Sequence, residues 1–249
     1  MSYMKIVFHL AATYAVHVGM RSPTESPPRS THFVPKKGFC SIVETIANCL
    51  LRQNAFGIRP TFFFLALYWI ACLAEISLVL SSSYPHLGAS QFISCFVFSS
   101  RQAVQVVSPS PLFIFAAILT VGGGWIRYHC YRKLGKAFTF EITRTSDHQL
   151  VTSGAYSIVR HPAYGGMMMS FIGITTIHLG HGSWVRESGV LKSVLGMSVV
   201  TGWKVGMLVT VLSVLMRVKT EDEFLRREFG EKWEKWADAV PYRLVPGLY

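Results

Sequence analysis

Two stretches of this chain gather residue types that could do chemistry: HQLVTSGAYSIVRHPAYGG, residues 148–166, and RVKTEDEFLRREFGEKWEKWADAVPYRLVPGLY, residues 217–249. In the first, Gly154 permits a turn, and Pro162 suits the first turn of a helix, where its missing N–H costs little. Arg160, His161 and Tyr164 then cluster at a helix N-terminus. Free N–H groups and the helix dipole favour an anion such as a carboxylate there. A belt of Arg, His and Tyr touching lipid headgroups explains the same residues. In the second stretch, Arg217 and Glu221 are four apart and share a helix face. Leu225 and Phe229 continue that spacing, and Phe224, Trp233 and Trp236 add apolar surface. The pattern predicts an amphipathic helix against a membrane, broken near Gly230 and resumed after it. Taken alone, the stretch is better explained as a solvated charged helix with one i,i+4 ion pair. The five cysteines are scattered without CxxC spacing, so neither a disulfide framework nor a metal site is expected.

The elements that must position these stretches are apolar. Hydrophobic residues make up 51% of the 249, and charged residues only 15%, against about a quarter in soluble domains. That balance, and the 17 Phe, point to a bilayer. The predicted fold is all-α, a polytopic integral membrane protein with about five spans: Met4 to Met20, Phe62 to Leu80, Leu112 to Ile126, Gly165 to Leu179 and Val194 to Met216. The first reads as a retained helix rather than a signal peptide, because His9, Tyr14 and His17 interrupt it and Gly19–Met20 is a poor cleavage site. The Pro- and Ser-rich RSPTESPPRSTHFVPKK after it reads as a loop. FISCFVF, residues 92–98, is too short to span. Glu75 in the second segment either pairs during packing or marks a site. The glycines at the end of the third segment suit close helix packing. Lys204 in the fifth snorkels, pairs with a carboxylate or faces a cavity.

Charge sets the orientation. The net charge is +11, yet the basic residues lie between apolar runs and no nucleic-acid-binding pattern is present, so contact with anionic lipid is expected instead. Residues 21–60, 127–160 and 217–249 hold 19 of the 24 Lys and Arg. Five spans put all three regions on one side, and the positive-inside rule makes that side the cytosol. Both chemistry-bearing stretches then face the cytosol, the second carrying the C-terminal amphipathic helix.

GAYSIVRHPAYGG followed, after a helical hairpin, by RVKTEDEFLRREFG resembles the isoprenylcysteine carboxyl methyltransferase family and its phospholipid-methylating relatives. The resemblance covers residues 120–245, and the order and spacing of the paired motifs are specific. It implies an enzyme using S-adenosylmethionine to methylate the carboxylate of a prenylated cysteine in a protein or peptide. It implies cofactor binding by Glu141, His148, Gln149, Leu150, Val151, Tyr156, His161, Pro162, Ala163, Tyr164 and Glu221, and substrate binding by Arg217, the residue on which catalysis rests. The family often has Gln where Glu141 stands, and Asp222 replaces a commoner Glu. The chain then divides into N-terminal membrane helices and linker, 1–110, and a membrane methyltransferase core, 111–249. The endoplasmic reticulum is implied by the family alone.

The implied chemistry suits these parts. The sulfonium methyl is already activated, and a carboxylate is ionised near neutral pH, so neither metal nor general base is needed. Arg217 can present two donors to that carboxylate. Three rivals stand beside this reading. The acceptor could be a lipid amine, for which Arg217 is an odd partner, or an apolar small carboxylic acid. The tail EKWEKWADAVPYRLVPGLY is similar to NADPH-dependent sterol reductases. A non-catalytic membrane scaffold is the third.

Overall fold

A computed structural model describes residues 2–21, 60–84, 86, 109–135, 138 and 149–248. Among them the secondary structure is helical and no strand occurs. The elements are α1 (Ser2–Met20), α2 (Pro60–Ser83), α3 (Pro111–Leu134), α4 (Pro162–Leu179), the single turn α5 (Trp184–Glu187), α6 (Val194–Phe229) and α7 (Glu231–Ala239). One-turn 3-10 helices occupy Gly154–Ser157 and Val190–Lys192.

The helix boundaries follow from local chemistry. Three long helices, α2, α3 and α4, open on a proline, whose fixed φ fits the first turn. Ser110 caps α3 by accepting a hydrogen bond from the Phe113 N–H at 3.1 Å. Gly230 ends α6 with φ +54°, a conformation that a Cβ would strain, and α7 starts at the next residue. The break expected near Gly230 is therefore present.

Two boundaries differ from expectation. The third apolar segment, expected to end at Ile126, continues as α3 to Leu134. The fifth segment does not stop at Met216 either, and α6 continues unbroken to Phe229. At about 1.5 Å per residue its 36 residues span about 54 Å, well beyond a hydrocarbon core of about 30 Å. No glycine or proline falls between Met207 and Phe229, so nothing in the local sequence interrupts the helix.

Three of the described helices, α2, α3 and α6, are long and apolar enough to cross a membrane. FISCFVF and residues 22–37 of the Pro- and Ser-rich loop lie outside the described residues.

The chain forms two compact units: Met1–Val18, Phe63–Gly123 and Met169–Gly206 make the first, and Gly19–Phe62, Gly124–Met168 and Met207–Tyr249 the second. The first unit buries several polar side chains among apolar ones and exposes many large apolar side chains. On α1, Lys5, His9 and Thr13 are buried, while Val7, Leu10 and Tyr14 are exposed. Glu75 is buried on α2, whose Phe63, Ile70 and Leu73 are exposed. Polar side chains turned inward and apolar ones outward suit a hydrocarbon surround, where polar groups need internal partners.

Glu75 has such partners. Its Oε1 accepts from Lys5 Nζ at 2.5 Å, and its Oε2 from the Trp184 N–H at 2.5 Å. Lys5 also donates to the Gly182 carbonyl at 2.9 Å. Of the two sequence readings of Glu75, the paired packing residue is the one observed. Lys204 is exposed. His9 packs against Phe113 and His178, with ring centroids 4.9 and 5.7 Å apart. Helices approach most closely at glycines other than the expected ones. A Cβ on Gly173 would fall 2.2 Å from Thr120 Oγ1, and one on Gly206 2.5 Å from the Phe64 ring.

Candidate functional site

The second unit holds both motif stretches. Its apolar floor is a cluster of Cys130, Tyr156, Trp233, Trp236 and Val240, against which Leu150, Val151, Ala155, Ala163, Leu225 and Phe229 pack. Trp236 Nε1 donates to the Tyr156 carbonyl at 3.1 Å. The two tryptophans lie three apart on α7, so both face one side, and that side is occupied by protein. A membrane-facing role for Trp233 and Trp236, expected from the amphipathic pattern, is thus not what they serve. Burial pushes the Tyr156 hydroxyl well above its ordinary range, with Cys130 and the Glu221 carboxylate adding to the effect.

Above this floor the motifs meet. Tyr164 Oη donates to Glu221 Oε2 at 2.7 Å, joining the first turn of α4 to α6. His161 Nδ1 lies 3.8 Å from the same carboxylate oxygen, and the His161 and Tyr164 rings stack with centroids 5.7 Å apart. His161 Nε2 is 2.9 Å from Asp222 Oδ1. Asp222 Oδ2 also accepts from Arg160 Nη1 at 3.0 Å and Arg243 Nε at 2.9 Å. One buried carboxylate therefore organises three basic side chains.

The tail completes the arrangement. The Arg160 and His161 N–H groups donate to the Tyr242 and Arg243 carbonyls at 2.9 and 2.8 Å. Arg160 Nη2 donates to the Pro241 carbonyl at 2.7 Å. These bonds answer the question left open for the Arg160–His161–Tyr164 cluster. An anion does sit beside the start of α4, but the protein supplies it as Asp222, with Glu221 one residue earlier.

A second buried cation braces the same turn. Arg127 is 5% exposed; its Nε donates to the Gly19 carbonyl at 2.7 Å and its Nη1 to the Ala163 carbonyl at 2.8 Å. Tyr131 bonds both Arg127 and the Gly19 carbonyl. Gly165 lets the tail pass closely: a Cβ there would lie 3.2 Å from the Leu244 carbonyl.

The residues singled out in the sequence fall into four groups. Tyr156, His161, Pro162, Ala163, Tyr164 and Glu221 come together with Leu150 and Val151 in this unit. Gln149 is exposed. Glu141 and His148 lie outside the described residues. Arg217 is buried, 4% exposed, one helical turn before Glu221 on α6. Glu221 keeps 29% of its side chain exposed, so it can take further donors. Sequence reasoning missed Asp222, Arg243 and Arg127 as organising residues. Two of the three had visible signals: Asp222 adjoins Glu221, and Arg127 is a charge at the end of an apolar helix.

Residues 115–185 match the model of the isoprenylcysteine carboxyl methyltransferase (ICMT) family. The chain is similar to that family over this stretch of 71 residues. Among curated relatives it is 29% identical over 188 residues to a protein-S-isoprenylcysteine O-methyltransferase of Schizosaccharomyces pombe, covering 70% of this chain and 65% of the relative. It is 27% identical over 129 residues to protein-S-isoprenylcysteine O-methyltransferase B of Arabidopsis thaliana, covering 51% and 56%. A probable protein-S-isoprenylcysteine O-methyltransferase of Oryza sativa subsp. indica is 26% identical over 125 residues, covering 49% and 56%. The chain thus spans between half and two thirds of the relatives it matches. The family match ends at residue 185, so Glu221, Asp222 and the tail lie beyond it.

Proposed function

We propose that this chain transfers a methyl group from S-adenosylmethionine to the C-terminal carboxylate of a prenylated cysteine in a protein or peptide. The observation that carries this reading is the bond between Tyr164 of the first motif and Glu221 of the second, with His161 beside both. Motifs separated by a helical hairpin are pulled into one polar site above an apolar floor. The relatives' names support the acceptor, and the match to the family model supports the methyl donor.

The residues fit that donor. The partly exposed Glu221 carboxylate can accept from hydroxyl or amino groups, and Leu150, Val151 and Ala163 offer apolar surface against the cluster below. When bound, S-adenosylmethionine would supply an activated methyl. The protein's task is then alignment and exclusion of water. Arg217, one turn from Glu221, would hold the acceptor carboxylate by two charge-assisted hydrogen bonds and aim one oxygen at the methyl. Burial at this position strengthens such bonds, because the local dielectric is low. No proton need be removed from an ionised carboxylate.

The same reading places five helices in the bilayer. In α1 and α4 the polar residues that lower apolarity, Lys5, His9, Ser170 and His178, are buried, while Val7, Leu10, Tyr14 and Ile172 are exposed. Lengths of 19 and 18 residues give about 28 and 27 Å at about 1.5 Å per residue, enough for a bilayer core. With five spans the site faces the cytosol, in the endoplasmic reticulum on the family's precedent.

The test uses detergent-purified protein. Calorimetry should detect S-adenosylmethionine and not NADPH; preference for NADPH overturns the donor. Methyl transfer to a farnesylcysteine peptide should exceed transfer to phosphatidylethanolamine; the reverse overturns the acceptor. Arg217→Ala should lower turnover about 100-fold or more, as expected for a lost charge-assisted pair of about 3 kcal/mol, with cofactor affinity retained.

A further inference from the structure

The C-terminal half of α3 carries one exposed stripe that the methyl-transfer site does not use. Trp125, Tyr128, His129 and Arg132 recur at spacings of three and four, with Lys133 beside them. Trp125 is 61% exposed and Tyr128 42%. The side chains form a layered patch. The Trp125 and His129 rings lie 4.0 Å apart between centroids, Tyr128 meets His129 edge-on at 5.6 Å, and the Arg132 guanidinium sits 5.8 Å from the Tyr128 ring centre. His129 Nδ1 is 2.9 Å from the Trp125 carbonyl, which holds that ring in place.

The order along the helix is informative. Further toward its N-terminus the same helix exposes Phe115 and Ile118. Apolar, then amphipathic aromatic, then basic is the sequence of environments met on leaving a bilayer through one leaflet. A protein partner would not require that gradient. A phospholipid does, because its chain, glycerol and phosphate follow the same order. Arg132 and Lys133 supply charge for a headgroup with a net negative charge, and Trp125 and Tyr128 sit where the ester region would lie.

We infer that the Trp125–Lys133 stripe of α3 is a binding surface for an anionic phospholipid, with its phosphate at Arg132 and Lys133 and its ester region against Trp125. The selectivity is electrostatic and the depth is set by the aromatic pair.

Nanodiscs test this with the full chain. The protein is reconstituted with a minor fraction of brominated phosphatidylserine or brominated phosphatidylcholine, and tryptophan quenching is read against a Trp125→Phe variant. The Trp125 signal should be quenched more by the serine lipid. Arg132→Gln with Lys133→Gln should remove that preference, at about five-fold in relative affinity per charge, which corresponds to about 1 kcal/mol for each basic residue near an anionic surface. Both positions are exposed, so the fold should be unaffected. Equal quenching by the two lipids overturns the proposal. So does a preference that survives the double substitution, or a Trp125 signal that neither lipid quenches.

Discussion

Glu75 and Asp222 are both buried carboxylates with basic partners, and the two units use them differently. Glu75 pairs with one lysine and one backbone N–H among helices whose outer faces are apolar. Asp222 binds Arg160, His161 and Arg243, and so draws one loop and the tail onto α6. Among the described residues a single cation offsets Glu75. Three basic groups surround Asp222, leaving its neighbour Glu221 in a basic environment and partly exposed. The lesson is that a buried carboxylate with one cationic partner fixes packing, whereas one with several organises a polar surface.

That contrast can be broken in order of size. Glu75→Ala should cost the most, about 3–5 kcal/mol, because Lys5 is left buried without its carboxylate counter-charge. Replacing Lys5 and Glu75 together by Met should recover most of that, to within about 1 kcal/mol of the parent. Thermal unfolding in detergent reads both. A double variant as unstable as Glu75→Ala would show that the pair does more than hold helices.

Asp222→Asn should cost less stability, about 2 kcal/mol, since Arg243 is a third exposed and water screens it. Its effect on methyl transfer should be larger than its effect on melting. Restoration by Asp222→Glu would sharpen the comparison, and equal losses in activity and stability would reduce Asp222 to packing.

Tyr156 gives a smaller, pH-dependent effect. Its pKa is raised on folding, so the native state favours the neutral phenol. The contribution is complete below the unfolded value of about 10 and is lost as pH climbs toward the folded one. Unfolding scans on the alkaline side should therefore show a steeper fall for the parent than for Tyr156→Phe; parallel curves would refute the assignment. Smallest is the exposed Arg226–Glu234 pair, 2.8 Å long with side chains 64% and 49% exposed. Arg226→Ala should move stability by no more than about 1 kcal/mol, a surface reference against which the two buried carboxylates can be judged.

Much of this was legible because it depends on local chemistry. The five long apolar stretches are helices that begin at or near their expected starts, since proline, serine and glycine signals act within a turn. The break at Gly230 was readable for the same reason. The paired motifs were readable as belonging together because their residue types and order are specific. The extent of α6 was not, because loss of apolarity after Met216 marks departure from a bilayer and not the end of a helix.

The amino-acid sequence by itself determined an all-helical membrane chain with two polar motif stretches, through periodicity, composition and the placement of charge. Tertiary structure decided which charges meet. Lys5 and Glu75 are 70 residues apart, His161 and Asp222 are 61 apart, and Arg160 finds Pro241 across 81. No local spacing rule reaches that far. Helical periodicity chooses a face, but only packing chooses the partner, and a buried charge is stable only where its partner has been brought to it.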